Sequence, residues 1–277
     1  MSGSSPLVCA NPVFVIGSPR SGTSILPWSL AQHSAFWTSR ESDLLWHLFG
    51  GGRVEQAFEA AKSRPDGSWL KDQKVDLSEY LAALGIGLNT LLRSRSGVKR
   101  WIDQTPVNTL MVDTLSRMFP GAYFVHILRD PRRVVHSMLH FNDVLDEDLR
   151  QRLQDAGALA SWTIDFAEAC RTWRLFVQTA RSFCEYNPSR CLTVRLDRLS
   201  ADPEQGFREI LEFLGAAYEE APARYFREYR INSSFQPGAT TVGPEILLTD
   251  IWNGWTPENR KTFLAEAGET MTQCGFD

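Results

Sequence analysis

The stretch GSPRSGTS, which begins at Gly17, has the spacing of a loop that binds phosphate. Four residues separate Gly17 from Gly22, and Ser24 follows, as in the Gly-rich loops that surround phosphate with backbone N–H groups. A nucleoside triphosphatase would carry lysine directly after the second glycine, where this chain has Thr23. The cation of the loop is instead Arg20, whose planar guanidinium suits pairs of phosphate oxygens. The sequence therefore predicts a phosphate site that works without the triphosphatase lysine.

The residues on either side predict how this loop is held. The apolar run VFVIG (13–17) reads as a buried strand, and a helix is expected from about Thr23. In such a unit the N–H groups of residues 20–24 can point into one concavity, to which the helix adds its positive end. The hydroxyls of Thr23 and Ser24 offer further hydrogen bonds. Pro27 lies within the predicted helix and predicts a local kink.

A second strand–turn–helix unit, VHILRDPRRVVHSML, spans residues 125–139. Arg129 leaves its strand at the edge where parallel sheets bind ligands. Ser137 follows eight residues later, about two helical turns on. The two side chains predict a second phosphate contact, separate from the first. The alternative for Arg129 is a salt bridge at the strand end, for instance with Asp130.

Strands and helices alternate along the chain, which predicts an α/β fold: a three-layer arrangement with a parallel sheet covered by helices on both faces. Further strands are predicted at 100–103, 122–128 and 191–196, and a long helix at about 161–186. Four other helices are predicted to begin at a capping residue followed by proline: Thr105-Pro106, Asp130-Pro131, Asp202-Pro203 and Thr256-Pro257. We expect one domain over 1–277, with residues 1–11 flexible.

Three segments fit the alternation poorly: 42–99, 141–160 and 232–255. Loops and insertions carry specificity on such scaffolds, so these segments are candidates for acceptor contacts and lids. For most of 42–99, helices that play no part in the site are an equally weighted alternative. The apolar and aromatic residues of 42–58 suit either a hydrophobic acceptor or the core; they are Leu44, Leu45, Trp46, Phe49 and Phe58.

The composition narrows the class of protein. The chain has 277 residues, of which 43% are hydrophobic, and a net charge of −4, so a nucleic-acid partner is not expected. Five cysteines without a C-x-x-C pair favour reduced thiols and no zinc site. No basic signal region and no run of about 18 apolar residues is present, so we expect a cytoplasmic protein without a membrane segment.

The two phosphate motifs together identify a family. GSPRSGTS followed by LRDPRRVVHSM resembles the phosphosulfate-binding motifs of sulfotransferases that use 3′-phosphoadenosine 5′-phosphosulfate (PAPS). WIDQTPVNT and TVRLDRLSADPEQGFREILEFLG are similar to the family's segments between and after those motifs. INSSF and WNGWTPENRKTF resemble bacterial members and, more distantly, the tyrosylprotein sulfotransferases. The resemblance implies a P-loop NTPase-like fold, PAPS as co-substrate and no metal.

The resemblance also implies roles for individual residues. Glu41, which follows a predicted short strand, FWTS, stands where the tyrosylprotein sulfotransferases carry a catalytic glutamate, and would be the general base. Arg20 would stabilise charge on the leaving 5′-phosphate. His136 and His33 are the alternative bases. The residues expected to bind the 5′-phosphosulfate are Ser18, Arg20, Ser21, Gly22, Thr23 and Ser24. Those expected at the 3′-phosphate are Arg129 and Ser137, with Ser233 and Ser234 as further contacts.

The chain departs from the family in three places, one of which is Asn253-Gly254-Trp255, where some members have a lysine before the tryptophan. Many relatives have lysine at the position of Gln104, where it assists the leaving group, and tyrosine at the position of Leu196, where it stacks on adenine. We expect a sulfotransferase acting on a hydroxyl, with an amine as second choice. The alternatives are a P-loop kinase and a non-catalytic phosphonucleotide-binding module. A small molecule or natural product is the expected acceptor, because a protein tyrosine would favour a basic groove and the stretch 143–148 is acidic.

Overall fold

A five-stranded parallel sheet forms the centre of the molecule, as seen in a computed structural model that describes residues 7–145, 147–155, 159–231, 240–241 and 247–277. Its strand order is β2-β3-β1-β4-β5, which confirms the predicted α/β class. The strands are β1 (Val13–Ile16), β2 (Phe36–Thr38), β3 (Arg100–Asp103), β4 (Tyr123–Leu128) and β5 (Cys191–Arg195). A separate antiparallel pair joins β6 (Tyr229–Arg230) and β7 (Thr240–Thr241).

Helices cover both faces of the sheet, because its central strands are apolar on both faces. In β1 the side chains alternate: Phe14 and Ile16 belong to one buried cluster, and Val13 and Val15 to another on the opposite face. Fifteen α-helices are described. They are α1 (Ile25–Leu30), α2 (Leu44–Phe49), α3 (Arg53–Lys62), α4 (Trp69–Asp72), α5 (Leu77–Ser96), α6 (Val112–Met118), α7 (Pro131–Leu139), α8 (Glu147–Asp155), α9 (Phe166–Tyr186), α10 (Leu196–Ala201), α11 (Pro203–Phe213), α12 (Ala221–Glu228), α13 (Leu248–Gly254), α14 (Pro257–Phe263) and α15 (Glu269–Gln273).

Capping residues set several of the helix starts. The Asp130 side chain accepts a hydrogen bond from the N–H of Arg132 and caps α7, as its Asp-Pro pair predicts. The long helix α9 begins later than expected, because Asp165 caps it and Ser161–Thr163 form a separate 3₁₀ turn. Pro27 lies in the first turn of α1, where a backbone N–H has no intrahelical acceptor. A proline there removes no helical hydrogen bond, so no kink is required.

Segment 42–99 folds into helices α2 to α5, in agreement with the helical alternative stated for this stretch. Leu45 and Phe58 are buried in the core. The start of the described chain is attached to the same layer: the Asn89 side chain on α5 accepts from the Cys9 N–H at 2.9 Å and donates to the Cys9 carbonyl at 2.8 Å. The residues before β1 are therefore fixed at Cys9, inside the stretch 1–11 that the sequence predicts to be flexible.

The prediction that all five cysteines are thiols was wrong for one pair. Cys184 and Cys191 form a disulfide. The turn between α9 and β5 is short, so the two Cα atoms lie 4.9 Å apart. Cys9 and Cys170 are buried thiols, and Cys274 is a half-buried one. Within the described residues, none of the helices has the length and apolar character needed to cross a membrane.

Helix α5 approaches α6 so closely that a side chain cannot be added at Gly85. A Cβ at that position would lie 1.9 Å from the carbonyl oxygen of Met118. We expect Gly85→Ala to lower the free energy of unfolding by about 1–3 kcal/mol, because α5 must move away from α6. Gly87→Ala is the matched control: nothing lies within 4 Å of its Cβ position, so this variant should be neutral or more stable by about 0.5–1 kcal/mol. Denaturant unfolding of both variants measures the difference, and equal stabilities would contradict the account.

Candidate active site

The carboxyl ends of three neighbouring strands form the crevice that holds the candidate residues. β1 lies between β3 and β4, so Gly17, Gln104 and Arg129, which follow the three strand ends, meet at one edge of the sheet. This is the place where the strand order reverses, and open parallel sheets bind ligands there.

The backbone of the Gly-rich loop has the tight geometry that its glycines predict. Gly17, Arg20 and Gly22 all have positive φ angles, of 144°, 67° and 98°. A Cβ at Gly17 would lie 2.5 Å from the carbonyl oxygen of Ile127, and one at Gly22 would lie 3.2 Å from the side chain of Leu196. Glycine is therefore required at Gly17 by conformation and by space, and at Gly22 chiefly by conformation.

The buried hydroxyl of Thr109 fixes the start of this loop. It accepts a hydrogen bond from the Gly17 N–H at 2.9 Å and donates one to the Gly17 carbonyl at 3.2 Å. Thr109 lies in the 3₁₀ turn Pro106–Met111 that follows β3. No sequence pattern distinguishes Thr109, because it is one threonine in an apolar helical stretch.

One cavity at the crevice, which we name the arginine cavity, brings six of the predicted residues together. Arg20, Arg129 and Arg230 give it positive charge, and neither Asp nor Glu is among its described lining residues. Leu196 also contributes to its wall. The lining residues are Arg20, Gly22, Thr23, Ser24, Ile25, Arg129, Ser137, Leu196, Ser200, Phe226, Arg230 and Ile231.

Two predicted contacts lie outside the arginine cavity, and two others are not among the described residues. Ser18 and Ser21 are fully buried beneath the loop and do not line the arginine cavity. The Ser21 hydroxyl has no hydrogen-bond partner among the described residues. Ser233 and Ser234 lie outside the described residues.

Arg20 lies at the centre of the electrostatics of the site. Its Nε donates to the Ser137 hydroxyl at 3.1 Å, and Arg129 donates to its carbonyl oxygen at 3.0 Å. The guanidinium lies 5.1 Å from the ring centroid of Phe141. Burial and the neighbouring Arg129 lower the pKa of Arg20 to about 10, while the charge of Glu41 acts in the opposite direction. Arg20 is thus protonated at neutral pH, and its environment favours the approach of an anion.

The second cavity, which we name the aromatic cavity, shares Arg20, Thr23 and Ser24 with the arginine cavity. Its volume is about 340 Å³. Glu41 lies in its wall. A group bound in the aromatic cavity would therefore meet a group bound in the arginine cavity within reach of the Glu41 carboxylate. Its lining residues are Pro19, Arg20, Thr23, Ser24, Glu41, Asp43, Pro106, Val107, Phe141, Leu153, Leu159, Ala160, Trp162, Thr163 and Phe176.

Two side chains that follow β3 hold the segment that carries Glu41. Gln104 is buried, and its Nε2 donates to the carbonyl oxygen of Ser39. The Thr105 hydroxyl accepts from the N–H of Ser42 at 3.4 Å. Gln104 therefore lies against this segment and lines neither cavity.

The two histidine alternatives to Glu41 lie elsewhere. Both ring nitrogens of buried His33 are engaged, one with the carbonyl of Ala217 at 2.8 Å and the other with the N–H of Ala35 at 2.9 Å. His136 stacks on His140 at 4.2 Å, and burial lowers its pKa. Neither histidine lines either cavity.

The aromatic wall comes from two parts of the chain. Phe141 and Leu153 belong to the candidate segment 141–160, whereas Trp162 lies in the 3₁₀ turn Ser161–Thr163 and Phe176 in α9. None of the apolar candidates in 42–58 lines the cavity. Trp255 near the C-terminus packs against Phe166 and Phe263, with ring-centroid distances of 5.0 Å to each.

Comparisons with known proteins agree with this geometry. Residues 12–220 match the model of the Sulfotransferase family. The protein-tyrosine sulfotransferase 2 of Gallus gallus is 26% identical over 280 residues, which cover 96% of this chain and 69% of the relative. The chain spans 54 to 69% of the length of this relative and of the matched proteins from Danio rerio and Caenorhabditis briggsae.

Solved structures share the fold. The sulfotransferase domain of the Synechococcus PCC 7002 olefin synthase has a TM-score of 0.56 at 19% identity, covering 96% of this chain and 95% of that one. A mouse sulfotransferase, SULT7A1, complexed with PAP, has a TM-score of 0.51 at 14% identity, with 99% and 94% covered. These likenesses identify the architecture as that of a P-loop NTPase-like sulfotransferase fold.

The role of Thr109 is open to a direct test. Thr109→Val keeps the volume but leaves the N–H and the carbonyl of Gly17 without their partner, so we expect a loss of about 1–3 kcal/mol in unfolding free energy. Thr90→Val is the control, because the Thr90 hydroxyl forms an exposed hydrogen bond within its own helix, to the carbonyl of Ile86. Thermal unfolding compares the two variants, and a Thr109→Val protein as stable as Thr90→Val would contradict the assignment.

Proposed function

The chain belongs to the sulfotransferase family, and on this basis we propose that it transfers the sulfuryl group of PAPS to the hydroxyl of a small acceptor. One observation carries the proposal: a cationic cavity and an aromatic cavity meet at Arg20, Thr23 and Ser24, with Glu41 on the aromatic side. A donor and an acceptor bound in the two cavities would face each other at that junction.

The arginine cavity fits the charge pattern of the donor. PAPS carries a 5′-phosphosulfate and a separate 3′-phosphate. Arg20 and the loop residues Gly22 to Ser24 would hold the first group, and Arg129 with Ser137 the second. The N–H groups of Gly22 and Thr23 have no acceptor among the described residues, so they are available to phosphate oxygens. The PAP bound to the mouse relative with the same fold supports this assignment.

Sulfuryl transfer at the junction follows from the side chains present. The acceptor oxygen attacks sulfur as its proton passes to the carboxylate of Glu41. The bond between sulfur and the 5′-phosphate oxygen breaks, and PAP leaves with the added negative charge. Arg20, already in place, would stabilise that charge, and such preorganised groups are usually the largest contribution to catalysis. Gln104 lies against the Ser39 carbonyl, so it would act by holding the segment of Glu41.

A small acceptor is favoured by the aromatic cavity itself. A volume of about 340 Å³ and a wall of aromatic and aliphatic residues, with three charged and three hydroxyl side chains among its described lining, are typical of small-molecule sites. The solved neighbour from an olefin synthase is a domain of a biosynthetic enzyme, which supports a natural-product acceptor. The two alternative functions are a P-loop kinase and a non-catalytic nucleotide-binding module. They differ from a sulfotransferase in the nucleotide they bind or in transferring no group.

The donor can be identified by thermal unfolding with nucleotides. We expect PAP at about 100 times its dissociation constant to stabilise the protein by about 2.7 kcal/mol, which raises the melting temperature by about 5 °C. ATP with magnesium should give a much smaller rise, because Thr23 replaces the lysine that contacts its terminal phosphates. Stabilisation by ATP with magnesium and not by PAP would favour the kinase.

The general base can be identified by transfer of sulfur-35 from PAPS to a phenol. We expect Glu41→Gln to reduce turnover by about 10²- to 10⁴-fold, with PAP binding retained. Glu79→Gln, on the exposed start of α5, is the matched control and should keep wild-type turnover. Unchanged turnover in Glu41→Gln would remove Glu41 as base, and absence of transfer by the wild type to any hydroxyl would favour a non-catalytic module.

A further inference from the structure

Asp43 places a second carboxylate in the wall of the aromatic cavity, two residues after Glu41. Its backbone is left-handed, with φ 50° and ψ 4°, a conformation that Asp and Asn adopt more readily than most residues. None of the salt bridges among the described residues involves the Asp43 side chain. Asp43 is half-buried, so the described part of the fold holds a carboxylate at the cavity without a salt-bridge partner.

The other charges of the cavity do not compensate Asp43. Arg20 donates to Ser137 on the side of the arginine cavity and is in electrostatic contact with Glu41. Among the described lining residues, Arg20, Glu41 and Asp43 are the charged ones. Asp103 lies close behind: burial raises its pKa, and the charge of Asp43 adds to the rise. The Asp43 end of the cavity is therefore negative.

The remaining wall is suited to an aromatic ring. Phe141 and Trp162 lie with their ring centroids 5.5 Å apart at an angle of 55°, and Phe176 adds a third ring. Aromatic rings pack against such surfaces in edge-to-face or offset arrangements. A cation is also favoured near the face of an indole. The cavity thus combines ring surfaces with one unmatched negative charge.

We propose that the acceptor is a phenol or related aromatic alcohol that carries a protonated amine, with the ring against Phe141 and Trp162 and the ammonium group at Asp43. The assignment rests on the proposed function, because the acceptor hydroxyl must reach Glu41. It excludes a tyrosine within an acidic peptide as the preferred acceptor. An acidic peptide would be repelled by Asp43, and Arg20 is the one basic residue among the described lining residues of the cavity.

Three phenols of similar size and different charge test the assignment. They are tyramine, 4-ethylphenol and 3-(4-hydroxyphenyl)propionate, titrated calorimetrically into the protein with and without saturating PAP. We expect tyramine to bind about fivefold more tightly than 4-ethylphenol, as for one half-exposed ion pair, and the propionate to bind most weakly. Equal or tighter binding of the propionate or of an acidic tyrosine peptide, or no binding of any phenol, would overturn the proposal.

Asp43→Asn removes the charge and retains a residue that tolerates the left-handed backbone. The dissociation constants of the three phenols should then agree within about twofold, since the ion pair between Asp43 and the ammonium group accounts for the whole preference. Asp113→Asn, on the exposed side of α6, is the control and should keep the wild-type order. Persistence of the tyramine preference in Asp43→Asn would assign it to another group and overturn the proposal.

The two proposals can fail separately. Binding of PAP together with equal affinities for the three phenols would overturn the Asp43 assignment and leave the sulfotransferase function intact. A tyramine preference that depends on Asp43 in a protein that does not bind PAP would overturn the proposed function and retain the amine site. The PAP-induced thermal shift of Asp43→Asn shows whether that variant is folded.

Discussion

The guanidinium of Arg20 lies where the two cavities meet, and its position depends on three parts of the fold. Ser137 on α7 accepts its Nε–H, Phe141 after α7 lies beside its face, and Arg129 after β4 donates to its carbonyl oxygen. Burying this cation next to Arg129 is unfavourable until an anion arrives, which the lowered pKa of Arg20 reflects. An enzyme that must stabilise charge on a leaving phosphate requires a cation held in this way before the reaction begins.

The strand order explains why these groups converge. Because β1 lies between β3 and β4, the Gly-rich loop is contacted on one side by Thr109, which follows β3, and on the other by Arg129, which follows β4. The residues after β3 also hold the segment of Glu41 through Gln104 and Thr105. A lysine at the position of Gln104 would bring a charge toward the leaving group. Here the side chain forms a structural hydrogen bond, and in our proposal Arg20 supplies the leaving-group cation.

Local sequence patterns predicted the Gly-rich loop and the strands beside it. Glycine at Gly17 and Gly22 is imposed by backbone conformation, and apolar alternation marks β1 and β4, so both could be read from short stretches. The aromatic cavity could not, because Phe141, Trp162 and Phe176 come from three elements whose packing decides which ring faces a cavity and which the core. The Cys184–Cys191 disulfide depends on a turn geometry that cysteine spacing does not reveal. Thr109 acts through one tertiary contact, which no periodicity signals.

The central claim is that donor and acceptor meet at the junction of the two cavities. A crystal structure of the protein with PAP and a bound phenol tests it most directly. The account predicts the 5′-phosphate of PAP within hydrogen-bond distance of the Arg20 guanidinium, the 3′-phosphate at Arg129 and Ser137, and the phenol hydroxyl between Glu41 and the 5′-phosphate. A phenol bound away from Glu41, or a 5′-phosphate that does not contact Arg20, would contradict it.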